Sequence, residues 1–156
     1  MQIEPPRFWV DADSFPGKAK DLLLKVAAKK ALKVIYVANR DIPFSIQSPL
    51  FQMIVCPSKA GAADDYIADN ALGSDIIATR DIPLAARLVE KGCHVINDRG
   101  IHFDKKTVEK RLKERNLSMQ MQALGLHKGY SHENYGGKEL DAFGKCLDTL
   151  LSSMGI

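Results

Sequence analysis

The sequence predicts an α/β fold with three layers, α/β/α, around a mostly parallel central sheet. Three observations predict it. Short apolar runs rich in β-forming residues recur along the chain. Amphipathic stretches with helical spacing separate them, and turn residues punctuate the joins. Strands separated by helices imply βαβ crossovers and a sheet covered on both faces. With 156 residues, the chain has the length of a single domain with its own core, taken to span 1–156.

Phe8-Trp9-Val10 reads as the first strand and ends at Asp11. Pro16 suits the first turn of a helix. Between Ala19 and Lys30, the residues Ala19, Leu22, Leu23, Val26 and Ala27 then fall at helical spacing. Lys33 to Ala38 and Gln52 to Cys56 read as the second and third strands. Ala62 to Leu72 reads as a helix with Ile67, Ala68, Ala71 and Leu72 on its core face and Gly73 as its stop. Asp75 to Thr79 is a fourth strand that ends near Asp81. Pro83 to Lys91 is a helix stopped by Gly92, and His94 to Ile96 is a fifth strand ending near Asp98. Asp104 can cap a basic helix from about Lys105 to Arg115. Lys138 to Ser153 is a final amphipathic helix, and 116–137 carries no readable pattern.

Hydrophobic residues make up 46% of the chain and charged residues 26%, a balance typical of soluble proteins. No run approaches the roughly 20 apolar residues that a membrane span needs. Met1 to Arg7 is polar, contains Pro5 and Pro6 and lacks the regions of a signal peptide, so the expected location is the cytoplasm. Cys56, Cys93 and Cys146 are far apart and odd in number. They argue against a disulfide framework or a cysteine zinc site and read as free buried thiols. His94, His102, His127 and His132 form no HxxxH or HxH pair, which argues against a histidine zinc site.

The net charge of +3 does not by itself mark a nucleic-acid partner. Its placement says more. Arg99, Lys105, Lys106, Lys110, Arg111, Lys113 and Arg115 crowd one segment, opposed by Asp98, Asp104, Glu109 and Glu114. This is either a solvated helix face with i,i+4 pairs or a surface for phosphates.

In parallel sheets, ligands bind outside the carboxyl ends of the strands. The aspartates gather there. Asp11 and Asp13 follow the first strand, Asp81 the fourth and Asp98 the fifth. Asp64, Asp65 and Asp69 lie in the first turns of the helix after the third strand. Crowded carboxylates repel one another, and a divalent cation removes the repulsion. Mg²⁺ or Mn²⁺ suits an oxygen-only donor set. Such a metal can activate water and neutralise phosphate charge, so no other nucleophile is required. Each aspartate also has a plain explanation as a helix cap or a turn residue. Asp69 reads as an outer ligand, and Asp75 and Asp141 as structural or surface residues. Thr79 can bond a carboxylate or a metal-bound water. Arg80, Ser14, Lys18 and Arg99 can contact phosphate, or can equally serve as cap, turn and surface residues. Asn97-Asp98-Arg99-Gly100 reads as a turn with Gly at a special backbone angle.

Four stretches carry a resemblance. Val10-Asp11-Ala12-Asp13, Gly61-Ala62-Ala63-Asp64-Asp65-Tyr66-Ile67, Thr79-Arg80-Asp81-Ile82-Pro83-Leu84-Ala85 and Asn97-Asp98-Arg99-Gly100 resemble the bacterial YaiI/YqxD family. The closing stretch from Asp141-Ala142-Phe143 to Leu150 is similar to that family's last helix. The family is regarded as PIN-like, which implies a PIN-like fold and a Mg²⁺- or Mn²⁺-dependent nuclease, with RNA favoured over DNA. The resemblance places Asp11, Asp64 or Asp65, and Asp81 at the acidic positions of such a site, with Asp98 as a further one. The chain departs from the family before its last helix, where it has Gly129-Tyr130-Ser131 and Leu140-Asp141-Ala142.

The first reading is therefore a metal-dependent nuclease. Asp11, Asp65 and Asp81 would be its principal ligands, Asp13, Asp64 and Asp98 supporting ones, and the basic segment would hold the phosphate backbone. The alternatives are a phosphatase of the haloacid dehalogenase type, with Asp11 as nucleophile, and a non-catalytic module that binds RNA or protein.

Overall fold

The computed structural model describes residues 4–126 and 135–156. In chain order its elements are β1 (Phe8–Asp11), α1 (Gly17–Lys29), β2 (Val34–Ala38), β3 (Phe51–Val55), α2 (Ala62–Asn70) and β4 (Ile76–Ala78). Next come α3 (Ile82–Lys91), β5 (His94–Ile96), β6 (His102–Phe103), α4 (Lys105–Ala123) and α5 (Gly137–Ser153). The strands form one sheet in the order β3-β2-β1-β4-β5-β6. Every pairing is parallel except that of β6 with β5.

This is the doubly wound order, and its switch point lies between β1 and β4. The chain steps one way from β1 to β2 and β3, then returns to β4 and steps the other way. Right-handed crossovers put α1 on one face and α2 and α3 on the other, and α5 returns to the face of α1. The side chains of β1 alternate to match. Phe8 and Val10 join Leu23 and Leu24 of α1 and Phe143 and Leu147 of α5 in one core. Trp9 joins Ile67 of α2, Leu84 and Leu88 of α3 and Val108 of α4 in the other. Each fully buried Leu or Phe contributes roughly 1.5–3 kcal/mol, so the two cores hold the three layers together.

The structure departs from the sequence-based expectation in four places. No helix joins β2 to β3. Residues 39–50 form a loop, and Ile42, Phe44 and Ile46 pack on the α1 face, with the Phe44 ring tilted by 42° against Tyr36 at a centroid separation of 4.5 Å. Helix α2 ends at Asn70 rather than Leu72. The backbone N–H of Leu72 donates to the Asp75 carboxylate at 2.9 Å, which draws the chain out of the helix and leaves Leu72 exposed. Helix α4 runs to Ala123, well past Arg115, because Leu117, Met119, Met121 and Ala123 are good helix formers. Strand β6 is two residues long, too short to show a periodicity.

Other expectations match the structure. Asp104 caps α4, accepting from the Thr107 N–H at 2.7 Å, and Gly92 stops α3 at φ +92°. Gly100 takes φ +83° in its turn. Cys56, Cys93 and Cys146 are free thiols, the first two buried. Among the described residues, no helix is long and apolar enough to cross a membrane. His127, His132 and Gly129-Tyr130-Ser131 lie outside the described residues.

Candidate functional site

Asp11 is the last residue of β1, two positions after Trp9. The period of two therefore points its side chain to the face that carries α2 and α3. Thr79 follows β4 and shares a face with Ile77 for the same reason. The two meet across the switch point. The fully buried Thr79 hydroxyl donates to Asp11 Oδ2 at 3.1 Å, and Ser14 Oγ donates to the same oxygen at 3.2 Å. The Thr79 hydroxyl in turn accepts from the Asp81 N–H at 3.0 Å. One threonine thus ties the end of β1 to the start of α3.

Asp81 caps α3, with Oδ1 accepting from the Leu84 N–H at 2.9 Å. Asp64 comes from the first turn of α2, which Gly61 introduces with φ +78°. A cleft of about 520 Å³ opens between these elements, lined by Asp11, Asp13, Asp64 and Asp81 with Ser14, Asn39 and Arg80.

The carboxylates in this cleft are crowded. Burial pushes the Asp11 carboxyl above its ordinary range; the Thr79 and Ser14 hydroxyls oppose this, and the Asp81 and Asp13 charges reinforce it. Asp64 is raised from 3.8 to about 6 by burial first, then by the charges of Asp81 and Asp11 and a hydrogen bond with the Asp81 carboxyl, with Arg87 opposing. The raised value belongs to Asp64, the acid of this cleft that burial and its acidic neighbours most disfavour as a carboxylate.

The structure separates the aspartates that the sequence grouped. Asp65 is one residue beyond Asp64 and so about 100° further round the helix. It is exposed and pairs with Arg87 Nη1 of α3 at 2.9 Å. Of the two adjacent acids, Asp64 lines the cleft and Asp65 faces away from it. Asp13 stands at the rim, accepting from the Asn39 N–H at 2.9 Å and from Arg40 Nε at 3.2 Å. Asp98 is buried but does not line the cleft. It stands behind Arg80, whose Nε lies 3.5 Å from Asp98 Oδ2 in an ion pair without a hydrogen bond. Arg80 also donates through Nη1 to the Ser14 carbonyl at 3.4 Å, so its guanidinium spans the gap between β1 and β4.

Arg99 turns instead toward α5, where its Nη1 lies 3.6 Å from Glu139 Oε1. Lys18 and Asp69 are exposed and outside the cleft lining. Asn39 lines the cleft and was not singled out in the sequence. Its signal was available: it is the first residue beyond the carboxyl end of β2, the strand beside β1.

The donor set at the cleft is oxygen-only, which suits a hard divalent cation. Among the described residues, no group of three or more His, Cys, Asp or Glu side chains is arranged to hold a metal ion.

Fold and cleft together define a class: a doubly wound α/β protein with a carboxylate-lined cleft at its switch point. A family model described as "Uncharacterized BCR, YaiI/YqxD family" matches residues 9–153. The chain is 37% identical over 151 residues to a UPF0178 protein of Pseudomonas putida (strain W619), covering 95% of this chain and 97% of the relative. It is 40% identical over 146 residues to a UPF0178 protein of Treponema denticola, covering 94% and 92%. A UPF0178 protein of Psychrobacter cryohalolentis is 37% identical over 148 residues, covering 93% and 99%. The chain belongs to the YaiI/YqxD family.

Proposed function

We infer that the protein is a cytoplasmic PIN-like nuclease that uses Mg²⁺ or Mn²⁺ to hydrolyse phosphodiester bonds, with RNA favoured over DNA. One observation carries the reading. Asp11, Asp64 and Asp81 come from three separate elements and crowd one cleft at the switch point, where burial first, and then the charges of Asp81 and Asp11, raise Asp64 to about 6. A divalent cation would relieve that crowding. The preference for RNA rests on the resemblance of the four acidic stretches to PIN-like domains.

Asp11, Asp64 and Asp81 would hold the metal, with Asp13 at the rim. When bound, a divalent cation lowers the pKa of a water and neutralises charge on the phosphate. The chain's own residues do the rest. The Thr79 and Ser14 hydroxyls fix Asp11. The helix cap fixes Asp81. Arg80 lines the cleft and offers guanidinium N–H groups to a phosphate oxygen. Asp98 pairs with Arg80 and orients it.

Incubation of single-stranded RNA and DNA with each metal tests this reading on the wild type, Asp11→Asn and Asp81→Asn. Asn caps a helix about as well as Asp, so Asp81→Asn keeps α3 intact. Metal-dependent cleavage that both substitutions abolish is the expected result. Cleavage unchanged by both would overturn it. A phosphate attached covalently to Asp11 would mark a phosphatase instead, and nucleic-acid binding without cleavage would mark a binding module.

A further inference from the structure

A second cleft, of about 300 Å³, opens where α3 meets α4 and is lined by Arg80, Asp81, Ile82, Arg111, Glu114 and Arg115. Arg80 and Asp81 also line the carboxylate cleft, so the two share one wall. On the far side, Arg111 and Arg115 are one turn apart on the same face of α4. Both are exposed, and among the described residues neither forms an ion pair. Three arginines thus converge on a cleft that offers two acids in return, and Asp81 is already engaged in capping α3.

We propose that this cleft binds the phosphate backbone of a nucleic-acid strand whose neighbouring phosphate lies in the carboxylate cleft. The proposal rests on the nuclease reading for the identity of the strand. Two arginines at i,i+4 present forked donors to successive phosphate oxygens, a geometry that lysines do not supply. A single small anion would fill one cleft. A polyanion fills both, because it crosses the shared wall at Arg80.

The other basic residues of the segment are placed differently. Lys106 and Lys113 are exposed on the opposite side of α4, about 200° round the helix from Arg111. Arg99 faces Glu139. The proposal therefore assigns different roles to residues that a charge count treats alike.

The test measures binding of a labelled single-stranded RNA by fluorescence anisotropy across a salt series, with cleavage followed in parallel. The proteins are the wild type, Arg111→Ala/Arg115→Ala and the charge-matched Lys106→Ala/Lys113→Ala. Thermal melts check that all three fold. The arginine pair is expected to weaken binding several-fold and to lower the salt slope by about 1.4, at about 0.7 per lost phosphate contact on a single strand. The lysine pair is expected to change little. Equal losses in the two double variants would reduce the cleft to general charge and overturn the proposal. Displacement of the RNA by poly-glutamate as readily as by unlabelled RNA would overturn it in favour of an acidic peptide.

The two readings fail separately. Cleavage with no effect of the arginine pair removes the cleft proposal and keeps the nuclease. Arginine-dependent binding without any cleavage keeps the cleft and removes the nuclease. No binding of RNA at all removes both.

Discussion

Asp75 and Asp64 both sit beside the central sheet, and the structure treats them in opposite ways. Asp75 lies at the amino end of β4. Its carboxylate accepts from Arg7 Nη2 at 2.9 Å, Trp9 Nε1 at 3.0 Å, the Leu72 N–H at 2.9 Å and the Arg7 N–H at 3.0 Å. Burial pushes this carboxyl up, but the bonds from Arg7, Leu72 and Trp9 outweigh burial and hold it below the usual carboxylate range. Asp64 lies at the carboxyl end of the sheet, where burial, Asp81 and Asp11 raise it to about 6. At one end every lone pair has a donor. At the other, acids face acids. A fold spends no such crowding on stability, and the contrast is the physical ground for placing function at the carboxyl end.

The largest expected effect is on the satisfied side. Asp75→Ala leaves Arg7 and Trp9 Nε1 without their acceptor and releases the chain after α2. The expected cost is about 3 kcal/mol, read by urea denaturation. Asp64→Asn in the metal-free protein is expected to cost nothing or to stabilise. A loss comparable to that of Asp75→Ala would erase the distinction.

Gly100→Ala comes next. A Cβ at Gly100 would stand 2.5 Å from the Ala142 carbonyl of α5, at φ +83°. The clash and the left-handed backbone together are expected to cost about 2 kcal/mol or more, read as a fall in Tm. It would separate the turn behind Arg80 from α5 without touching the carboxylates.

The two acids also differ in sign with pH. The raised Asp64 binds its proton more tightly folded than unfolded, so its contribution is full below 3.8 and lost as pH rises through about 6. The lowered Asp75 contributes above 3.8, and its contribution is lost as pH falls through its lowered folded value. In a Tm-versus-pH series without metal, Asp64→Asn is expected to flatten the decline between 3.8 and about 6, where the wild type loses stability. An unchanged profile would contradict the crowding. The smallest effect belongs to Asp65→Ala, which removes an exposed pair with Arg87. Its expected change is within about 0.5 kcal/mol.

Much of this was legible in the sequence, because strand ends are marked by the residues that close them. Phe8-Trp9-Val10 before Asp11, and Ile76-Ile77-Ala78 before Thr79, told where the carboxyl edge lies. That Asp11 and Thr79 share one face follows from the register of β1 on β4, which the structure supplies. The choice between Asp64 and Asp65 was not legible, because one residue of shift in the helix start rotates the answer by about 100°. The backbone turn at Gly61 fixes that start. Asp98 read as a ligand because it too follows a strand. β5 is one strand further from the switch point, and the space before Asp98 is taken by Arg80. The roles of Arg111 and Arg115 depend on how α4 packs against α3, which a run of mixed charge does not reveal.

The adjacent acids of α2 give the most direct test of the central claim. Mn²⁺ binding is measured by calorimetry on the wild type, Asp64→Asn and Asp65→Asn, each at more than one pH. The expected result is that Asp64→Asn abolishes binding, that Asp65→Asn retains it, and that near pH 6 the wild type releases a proton on binding because metal displaces the one held by the raised Asp64. Binding that survives Asp64→Asn but is lost in Asp65→Asn, or no binding by the wild type even with RNA present, would contradict it.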